Sequence, residues 1–196
     1  MTPERPQNHE QHAGSPPEGS PLFHVVLHEP EIPNNTGNIG RTCVATGCSL
    51  QLIHPLGFDT GEKACRRAGL DYWPRLRVGH HDSWSQYLTR ERPRRFWFFS
   101  TKGRRTLFDQ ALEPGDALVF GKETRGLPPE MLAEHPNNVL TLPMVPSERS
   151  LNLATAVCAV VYEGVRQMIG SGVVGLDDQG RLVLPGAKNA GRGLGP

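Results

Sequence analysis

Short apolar runs recur along this 196-residue chain, and segments with helical character separate them. Runs such as 96–99 (FWFF) and 117–120 (ALVF) contain none of the polar residues that alternate along a strand with one solvated face. They are therefore typical of strands that are covered on both faces. The predicted strands are residues 23–28, 49–53, 75–78, 95–100, 117–120 and 139–142. Because strands alternate with helices, we predict an α/β domain whose mostly parallel sheet is flanked by helices.

Helix signals lie between these runs. The predicted helices are residues 37–46, 62–68, 83–89, 128–134 and 151–169. The first should begin near Asn35 or Thr36, since short polar side chains cap helix N-termini, and should end at Gly47. After the last helix, residues 172–185 contain a turn-like sequence, Asp178-Gln179-Gly180, that favours a small hairpin.

The two ends of the chain differ in composition from its middle. Residues 1–21 are rich in Pro and polar side chains, and we expect a disordered arm there. The predicted domain covers residues 22–171, and residues 172–196 form a mostly flexible tail that becomes Gly-rich near its end. Since no apolar run approaches the ~20 residues of a membrane span and no secretory signal is apparent, we expect a soluble, cytoplasmic protein without a membrane partner.

The last predicted helix is apolar on nearly every face. From Leu153 to Tyr162, only Thr155 interrupts the apolar residues. A helix that is apolar all round must be buried on more than one side. In a small domain a subunit interface achieves this most simply, which predicts a homodimer. Burial inside a monomeric core is the alternative.

Charge is distributed unevenly, although the net charge is only +1. Residues 63–105 hold twelve Lys and Arg residues against three acidic ones. Such a basic segment can neutralise phosphates locally, so it favours a face that binds a polyanion. A solvated charged surface is the alternative.

Cysteine and histidine patterns do not indicate a metal. Cys43, Cys48, Cys65 and Cys158 form no Cys-x-x-Cys pair and no cluster with histidines at ligand spacing. We therefore expect no metal in the site.

Three polar, Gly-containing segments stand where predicted strands end. They are residues 29–41 (EPEIPNNTGNIGR), 121–128 (GKETRGLP) and 143–152 (PMVPSERSLN). None matches the dinucleotide-binding G-x-G-x-x-G pattern or a Walker motif. Ligands of parallel α/β sheets gather at the carboxyl ends of strands. The three segments therefore predict a single shared site.

The motifs in these segments closely resemble those of SPOUT-class RNA 2′-O-methyltransferases. The matching strings are residues 35–41 (NTGNIGR), 120–128 (FGKETRGLP) and 150–154 (SLNLA). Flanking strings are similar to those of the small TrmL (YibK) branch: residues 29–33 (EPEIP), 55–58 (PLGF), 68–72 (AGLDY) and 161–163 (VYE). The resemblance extends in order from about residue 22 to residue 170.

This resemblance implies a fold, a cofactor and a reaction. The family fold is an α/β sheet whose C-terminal part threads into a deep trefoil knot. Its loops bind S-adenosyl-L-methionine, and two copies form the active unit through the knot region and the C-terminal helix. Members of the branch methylate the wobble ribose 2′-OH, of cytidine or uridine 34, in leucine tRNAs. Methylation of another tRNA or rRNA position, or knotted RNA binding without catalysis, are the alternatives.

The resemblance also assigns site residues. Arg41 matches the arginine proposed to activate the 2′-OH as the catalytic group. Because a guanidinium keeps its proton, a phosphate clamp or an oxyanion stabiliser is at least as plausible a role. The positions that match the cofactor site are Phe99, Thr101, Gly121, Leu142, Ser150 and Leu151. The positions that match the lining of the active site are Asn35, Glu123 and Asn152. For Glu123 a loop salt bridge, and for Asn152 a helix cap, are the alternatives.

The tRNA would be held through its anticodon stem-loop, whose unpaired bases can stack on aromatic side chains. Arg66, Arg67 and Arg104 of the basic segment are candidates for phosphate contacts. Tyr72 and Trp73 are candidates for stacking.

Overall fold

A computed structural model describes residues 19–61, 65 and 69–186. The strands are β1 His24–His28, β2 Ser49–Ile53, β3 Val78–His81, β4 Phe96–Phe99, β5 Arg105–Thr106, β6 Ala117–Phe120, β7 Val139–Thr141, β8 Gly175–Leu176 and β9 Leu182–Val183. The α-helices are α1 Pro33–Thr46, α2 Trp84–Glu91, α3 Pro129–Glu134 and α4 Leu153–Gly170. Three short 3₁₀ turns lie between them: Trp73–Arg75, Leu107–Asp109 and Pro136–Asn138.

Seven of these strands form one sheet in the order β3-β2-β1-β6-β4-β7-β5. Every neighbouring pair in this sheet is parallel, which confirms the predicted mostly parallel sheet. The later strands are inserted between earlier ones, because β6 lies between β1 and β4 and β7 lies between β4 and β5. The trefoil knot implied by the resemblance stays a prediction.

Helices cover both faces of the sheet. Side chains alternate between the faces along each strand, so Val25 and Val26 of β1 belong to different core clusters. The cluster around Val25 contains Ile39 of α1 and Val161 of α4. The cluster around Val26 contains Tyr87 of α2, together with apolar residues of α3. Burial on both faces explains why these strands carry so few polar residues.

Helix α1 begins earlier than its polar residues predict. It starts at Pro33, and its N-cap residue, Ile32, makes no side-chain hydrogen bond. Proline suits the first helical position because its φ is preset and its missing N–H would have no helical partner there. Asn35 and Thr36 therefore lie inside the helix, and the prediction that either caps it is wrong. The predicted C-terminus is confirmed, since Gly47 ends α1 with a left-handed φ of 70°.

The strand predicted at residues 75–78 is also displaced. Residues Trp73–Arg75 form a 3₁₀ turn, and β3 starts only at Val78, which pairs with Leu50 of β2. The position of the neighbouring strand, which local sequence does not encode, sets this start. The two-residue strand β5 was not predicted, and most of the predicted helix 62–68 lies outside the described residues.

Helix α4 is buried on one side and uncovered on the other. Val160, Val161 and Val165 face the core, and Gly164 leaves room for the ring of Phe23. On the opposite side Tyr162 is 49% exposed and Ile169 is 37% exposed. Helix α4 therefore leaves two large apolar side chains uncovered in a single copy, with the exposed Arg166 between them.

The predicted hairpin near the C-terminus is confirmed. Strands β8 and β9 pair antiparallel, with Gly180 at a positive φ in the turn. Val174 is buried and Leu184 packs against the position of Gly47, so this hairpin is attached to the domain. The Gly-rich remainder of the predicted tail, and residues 1–18 of the predicted arm, lie outside the described residues. Among the described helices, none has the length and apolar character of a membrane span.

Candidate active site

The three polar segments meet at one edge of the sheet. They follow β1, β6 and β7, which are all parallel, so the carboxyl ends of these strands point the same way. Hydrogen bonds join the first segment to the second and the first to the third. The predicted convergence of the three segments at one edge is therefore confirmed, and their service as one site stays a prediction.

A chain of side-chain hydrogen bonds connects Asn35, Glu123 and Asn152. Asn35 Nδ2 donates to Glu123 Oε1 at 2.8 Å, and Asn152 Nδ2 donates to Asn35 Oδ1 at 3.0 Å. Glu123 Oε2 accepts a second bond, of 2.9 Å, from the backbone N–H of Glu31. Asn152 also caps α4, because its Oδ1 accepts from the N–H of Thr155 at 3.2 Å. Both polar atoms of the Asn35 amide are thus used to hold loops together.

Further contacts tie the first segment to the second. Lys122 Nζ lies 2.6 Å from Glu29 Oε2, and the Glu31 carboxylate accepts two bonds from Thr124, from its N–H at 3.1 Å and its hydroxyl at 3.0 Å. Sequence reasoning missed these four residues as partners. The available signal was the opposite charge of Glu29 and Lys122, at the start of two segments that were expected to converge.

Arg41 extends from α1 into solvent over an aromatic platform. Its side chain is 64% exposed, its Cζ lies 4.6 Å from the centre of the Tyr72 ring, and Asp71 Oδ1 lies 3.7 Å from its Nη2. The Tyr72 hydroxyl donates to the carbonyl of Gly37. Burial raises the pKa of Tyr72, and the positive charge of Arg41 opposes that shift. Tyr72 therefore remains a protonated donor at neutral pH.

This arrangement corrects one expectation about RNA contacts. Tyr72 is only 2% exposed, so its ring supports Arg41 and is not free to stack on a base. Asn35 and Arg41 are six residues apart, which places them roughly 120° apart around the axis of α1. The amide network and the guanidinium therefore approach the site from different sides of the helix.

Four of the predicted cofactor residues lie together at the ends of adjacent strands. Phe99 of β4 is in register with Phe120 of β6 and Leu140 of β7, and its ring stacks on Phe120 at 4.9 Å. Thr101, Gly121 and Leu142 each follow within two residues of these positions. The predicted cofactor residues that lie together at this edge are Phe99, Thr101, Gly121 and Leu142.

Gly121 is required by the close approach of the chain itself. A Cβ atom at this position would lie 2.0 Å from the carbonyl carbon of Gly126 and 2.2 Å from the nitrogen of Leu127. No side chain fits there, because real Cβ contacts of this length do not occur. The loop after β6 therefore turns back tightly on the strand end.

Ser150 and Leu151 lie in the exposed segment before α4. Within the described chain, residues 143–151 form one backbone–backbone hydrogen bond, from Glu148 N to Val145 O at 3.0 Å. Most backbone donors and acceptors of this segment are thus available to a ligand. Leu151 is 44% exposed and Leu142 is half-buried. Free backbone polar groups beside apolar side chains fit the edge and the faces of the adenine of S-adenosylmethionine.

One arginine of the basic segment is paired with acidic side chains of the chain itself. Arg95 is bound to Asp116, which also accepts from the indole N–H of Trp97 at 2.9 Å. Burial raises the pKa of Asp116, and the backbone N–H of Glu113 and the Arg95 charge oppose that shift. Arg105 donates to the carbonyl of Asn137. Arg104 is exposed, whereas Arg66 and Arg67 lie outside the described residues.

Comparison with known proteins identifies the family. The model of the SpoU rRNA Methylase family matches residues 22–162. The chain belongs to this family. The match includes all three segments of the shared site, so the SpoU motifs account for the residues that meet at this edge.

Individual SpoU relatives match over most of their length. A tRNA (cytidine(34)-2′-O)-methyltransferase of Saccharophagus degradans is 49% identical over 148 residues, which cover 75% of this chain and 96% of the relative. A solved structure concerning the 2-OH methylation of C/U34 on tRNA is 46% identical, with a TM-score of 0.70, and the match covers 76% of this chain and 97% of that one. The SpoU methyltransferase AviRb of Streptomyces viridochromogenes, solved in complex with AdoMet, is 25% identical, with a TM-score of 0.66, and the match covers 76% and 59%.

The amide network predicts a pH-dependent loss of stability in Asn35→Asp. This change places a second carboxylate beside Glu123 Oε1, where Asn35 Nδ2 now donates at 2.8 Å. Like charges raise the folded-state pKa of the pair, so the folded protein binds protons more tightly than the unfolded chain. Urea unfolding should therefore show a loss of about 1–3 kcal/mol near neutral or higher pH that shrinks as the pH falls.

The matched control is Asn34→Asp, at the exposed neighbouring position in the first turn of α1. A carboxylate near a helix N-terminus is favourable, so this variant should keep its stability at neutral pH as well as at lower pH. An equal loss in both variants, or a loss that does not depend on pH, would contradict the role of the network.

Proposed function

We propose that this protein is a tRNA (cytidine/uridine-34)-2′-O-methyltransferase. It transfers a methyl group from S-adenosyl-L-methionine to the wobble ribose 2′-OH of leucine tRNAs. The observation that carries the proposal is the junction of the three segments through Asn35, Glu123 and Asn152. The match to the Saccharophagus degradans enzyme, which covers 96% of that enzyme's length, supports it. With tRNA as its substrate, the enzyme belongs in the cytoplasm.

S-adenosylmethionine supplies an electrophilic methyl group when it is bound. Phe99, Thr101, Gly121 and Leu142 support its site from the strand ends, and the open backbone of Ser150-Leu151 supplies hydrogen bonds. The task of the chain is to hold the ribose in line with that methyl group, since correct placement alone accounts for much of the rate of such reactions. The network of Asn35, Glu123 and Asn152 fixes the loops that carry out this placement.

Arg41 acts on the substrate side of the site. A guanidinium is a poor general base in proteins, so Arg41 is not assigned the removal of the 2′-OH proton. Held over Tyr72 and largely exposed, it can bind a phosphate of the tRNA or stabilise the negative charge that develops on the 2′-oxygen. The anticodon stem-loop is the partner, because its unpaired nucleotides can be splayed out to reach this position.

The exposed face of α4, which carries two large apolar side chains beside Arg166, supports a homodimer. Tyr162 and Ile169 lie on this face, and pairing two copies would cover it.

Tyr162→Glu should therefore produce a folded monomer in analytical ultracentrifugation, because a dimer would have to bury the new charge in its interface. Leu176→Glu, at a hairpin position that is 54% exposed, is the control and should remain dimeric. A dimer in both variants would place the interface elsewhere.

Mapping the methylated nucleoside tests the proposed function directly. tRNA from cells that lack this protein already carries its other modifications. It is incubated with the enzyme and S-adenosylmethionine that carries a deuterated methyl group, and labelled nucleosides are located by mass spectrometry. Label on the ribose of nucleotide 34 is the expected result. Label at another position would move the protein to a different branch of the family, and no label in any RNA would indicate binding without catalysis.

Arg41→Ala should lower methyl transfer by about 10²–10³-fold, the usual effect of removing a group that stabilises a developing oxyanion. Binding of S-adenosylmethionine, measured by calorimetry, should not change, because the side chains that Arg41 contacts, Asp71 and Tyr72, are not among the proposed cofactor residues. Arg104→Ala, at another exposed arginine, is the control for a general loss of charge. A loss confined to KM that Arg41→Lys restores would indicate a phosphate clamp, and unchanged methyl transfer would remove Arg41 from the mechanism.

A further inference from the structure

A cavity of about 380 Å³ lies beside the first half of α1. One wall is a face of the helix that includes Asn34, Thr36 and Gly37, and the opposite wall includes Phe58 and Trp73. Its volume falls in the lower part of the range for small-ligand sites, about 300–1,000 Å³. None of the residues matched to the cofactor site lines it. The cavity is therefore a second feature of this edge, separate from the proposed S-adenosylmethionine site.

The aromatic wall is fixed in place by α1. The Trp73 ring packs so closely on Gly40 that a Cβ there would lie 3.2 Å from its Cζ3. Phe58 and Trp73 are both half-buried, so each keeps ring surface towards the cavity. Aromatic faces of this kind stack on unpaired nucleobases. On the helix side the exposed amide of Asn34 offers both a donor and an acceptor to the edge of a base.

A buried hydroxyl beside this space has no hydrogen-bond partner among the described residues. Thr36 lines the cavity and is 1% exposed, and its Oγ1 has no hydrogen-bond partner among the described residues. The other threonines of α1 behave differently. Thr42 and Thr46 donate to the carbonyls of Asn38 and Thr42 respectively, at 3.3 and 2.8 Å. An unsatisfied buried hydroxyl is costly, and a polar atom of a ligand in the cavity would satisfy it.

The cavity is aligned with Arg41. Gly37 lines it, and Arg41 stands four residues further on, on the same side of α1 and about 6 Å along the axis. Tyr72 also connects the two positions, because its hydroxyl donates to the Gly37 carbonyl and its ring lies under the Arg41 guanidinium. Within a nucleotide the base is bonded to the ribose. A ribose held at Arg41 therefore brings its own base to the cavity.

We propose that this cavity receives the base of the nucleotide whose ribose is methylated. The inference rests on the proposed function and adds to it the place where the target nucleotide is recognised. The base stacks between the aromatic wall and α1, accepts or donates a hydrogen bond at Thr36 Oγ1, and presents its edge to Asn34. Base recognition thereby selects which 2′-OH lies beside Arg41.

An abasic substrate tests this inference. Full-length tRNA is assembled by ligation with either the normal nucleotide or an abasic ribose at the position that the wild-type enzyme labels; the 2′-OH is present in both. The wild-type enzyme should methylate the abasic tRNA roughly 10–100-fold less efficiently, as expected for the loss of one stacked base. Equal kcat/KM for the two substrates would overturn the inference while leaving the proposed function intact.

Two matched variants locate the lost contact. Thr36→Val keeps the shape of the side chain but removes the unpartnered hydroxyl, and should lower kcat/KM on intact tRNA roughly tenfold while leaving the abasic substrate unaffected. Its melting temperature should not fall, because no hydrogen bond within the described chain is lost. Thr42→Val, on the same helix but outside the cavity, should leave the preference for intact over abasic tRNA unchanged.

The remaining outcomes also decide the question. If Thr36→Val weakens S-adenosylmethionine binding in calorimetry, the cavity holds part of the cofactor and the inference is wrong. If Thr36→Val lowers activity equally on both substrates, its effect does not pass through the base, and the inference is again wrong. If the wild-type enzyme methylates no RNA, the proposed function and the inference that rests on it fail together.

Discussion

The carboxylate of Glu123 holds the site together. Its two oxygens each accept one hydrogen bond from the segment after β1, from Glu31 N–H and from Asn35 Nδ2. Asn35 then passes the connection on to Asn152, which is 117 residues away in sequence. Hydrogen bonds to an ionised acceptor are stronger than neutral ones, so a single carboxylate can fix loops that strands alone leave free. Its bonds add to the Glu29–Lys122 ion pair and the Glu31–Thr124 hydrogen bonds, which join the same two segments.

The parallel sheet is the condition under which this carboxylate can act. Because β1, β6, β4 and β7 are neighbours and run in the same direction, the segments that follow them emerge side by side. The strands that bring them together are far apart in sequence, so the site exists only after the whole sheet has formed. The same insertion of late strands between early ones places the proposed cofactor residues next to the network that we propose positions the substrate.

The sequence predicts the strands well and the contacts between loops poorly. Runs such as 117–120 are recognised because burial on both faces removes polar residues, and convergence follows from the rule for parallel sheets. The predicted start of α1 is wrong because the preference of Pro33 for the first helical turn outweighs the capping tendency of Asn35. The pairing of Glu31 with Thr124 depends on loop geometry that no local pattern contains. The sequence also makes Tyr72 a candidate for stacking on RNA bases, because residue type alone does not reveal that its ring is buried.

The glycines of α1 explain how one helix can both join the loops of the site and support Arg41. Each interior glycine costs a helix roughly 1 kcal/mol relative to alanine, so two of them in one helix need a compensating role. A Cβ at Gly40 would lie 2.9 Å from Leu76 and 3.3 Å from Tyr72, and one at Gly37 would lie 3.3 Å from Leu70. The glycines thus let the segment around Tyr72 pack directly on the helix.

That close packing builds the side of α1 that we propose faces the substrate. It brings Tyr72 under Arg41 and sets Trp73 as a wall of the cavity, while Asn35, on another side of the same helix, faces Glu123. The helix therefore separates two tasks by angle: one side fixes the loops, and the other supports Arg41 and the cavity, which we propose contact RNA. A substitution at either glycine would disturb the platform of Arg41 and the cavity wall together, which couples the proposed placement of the ribose to the proposed recognition of its base.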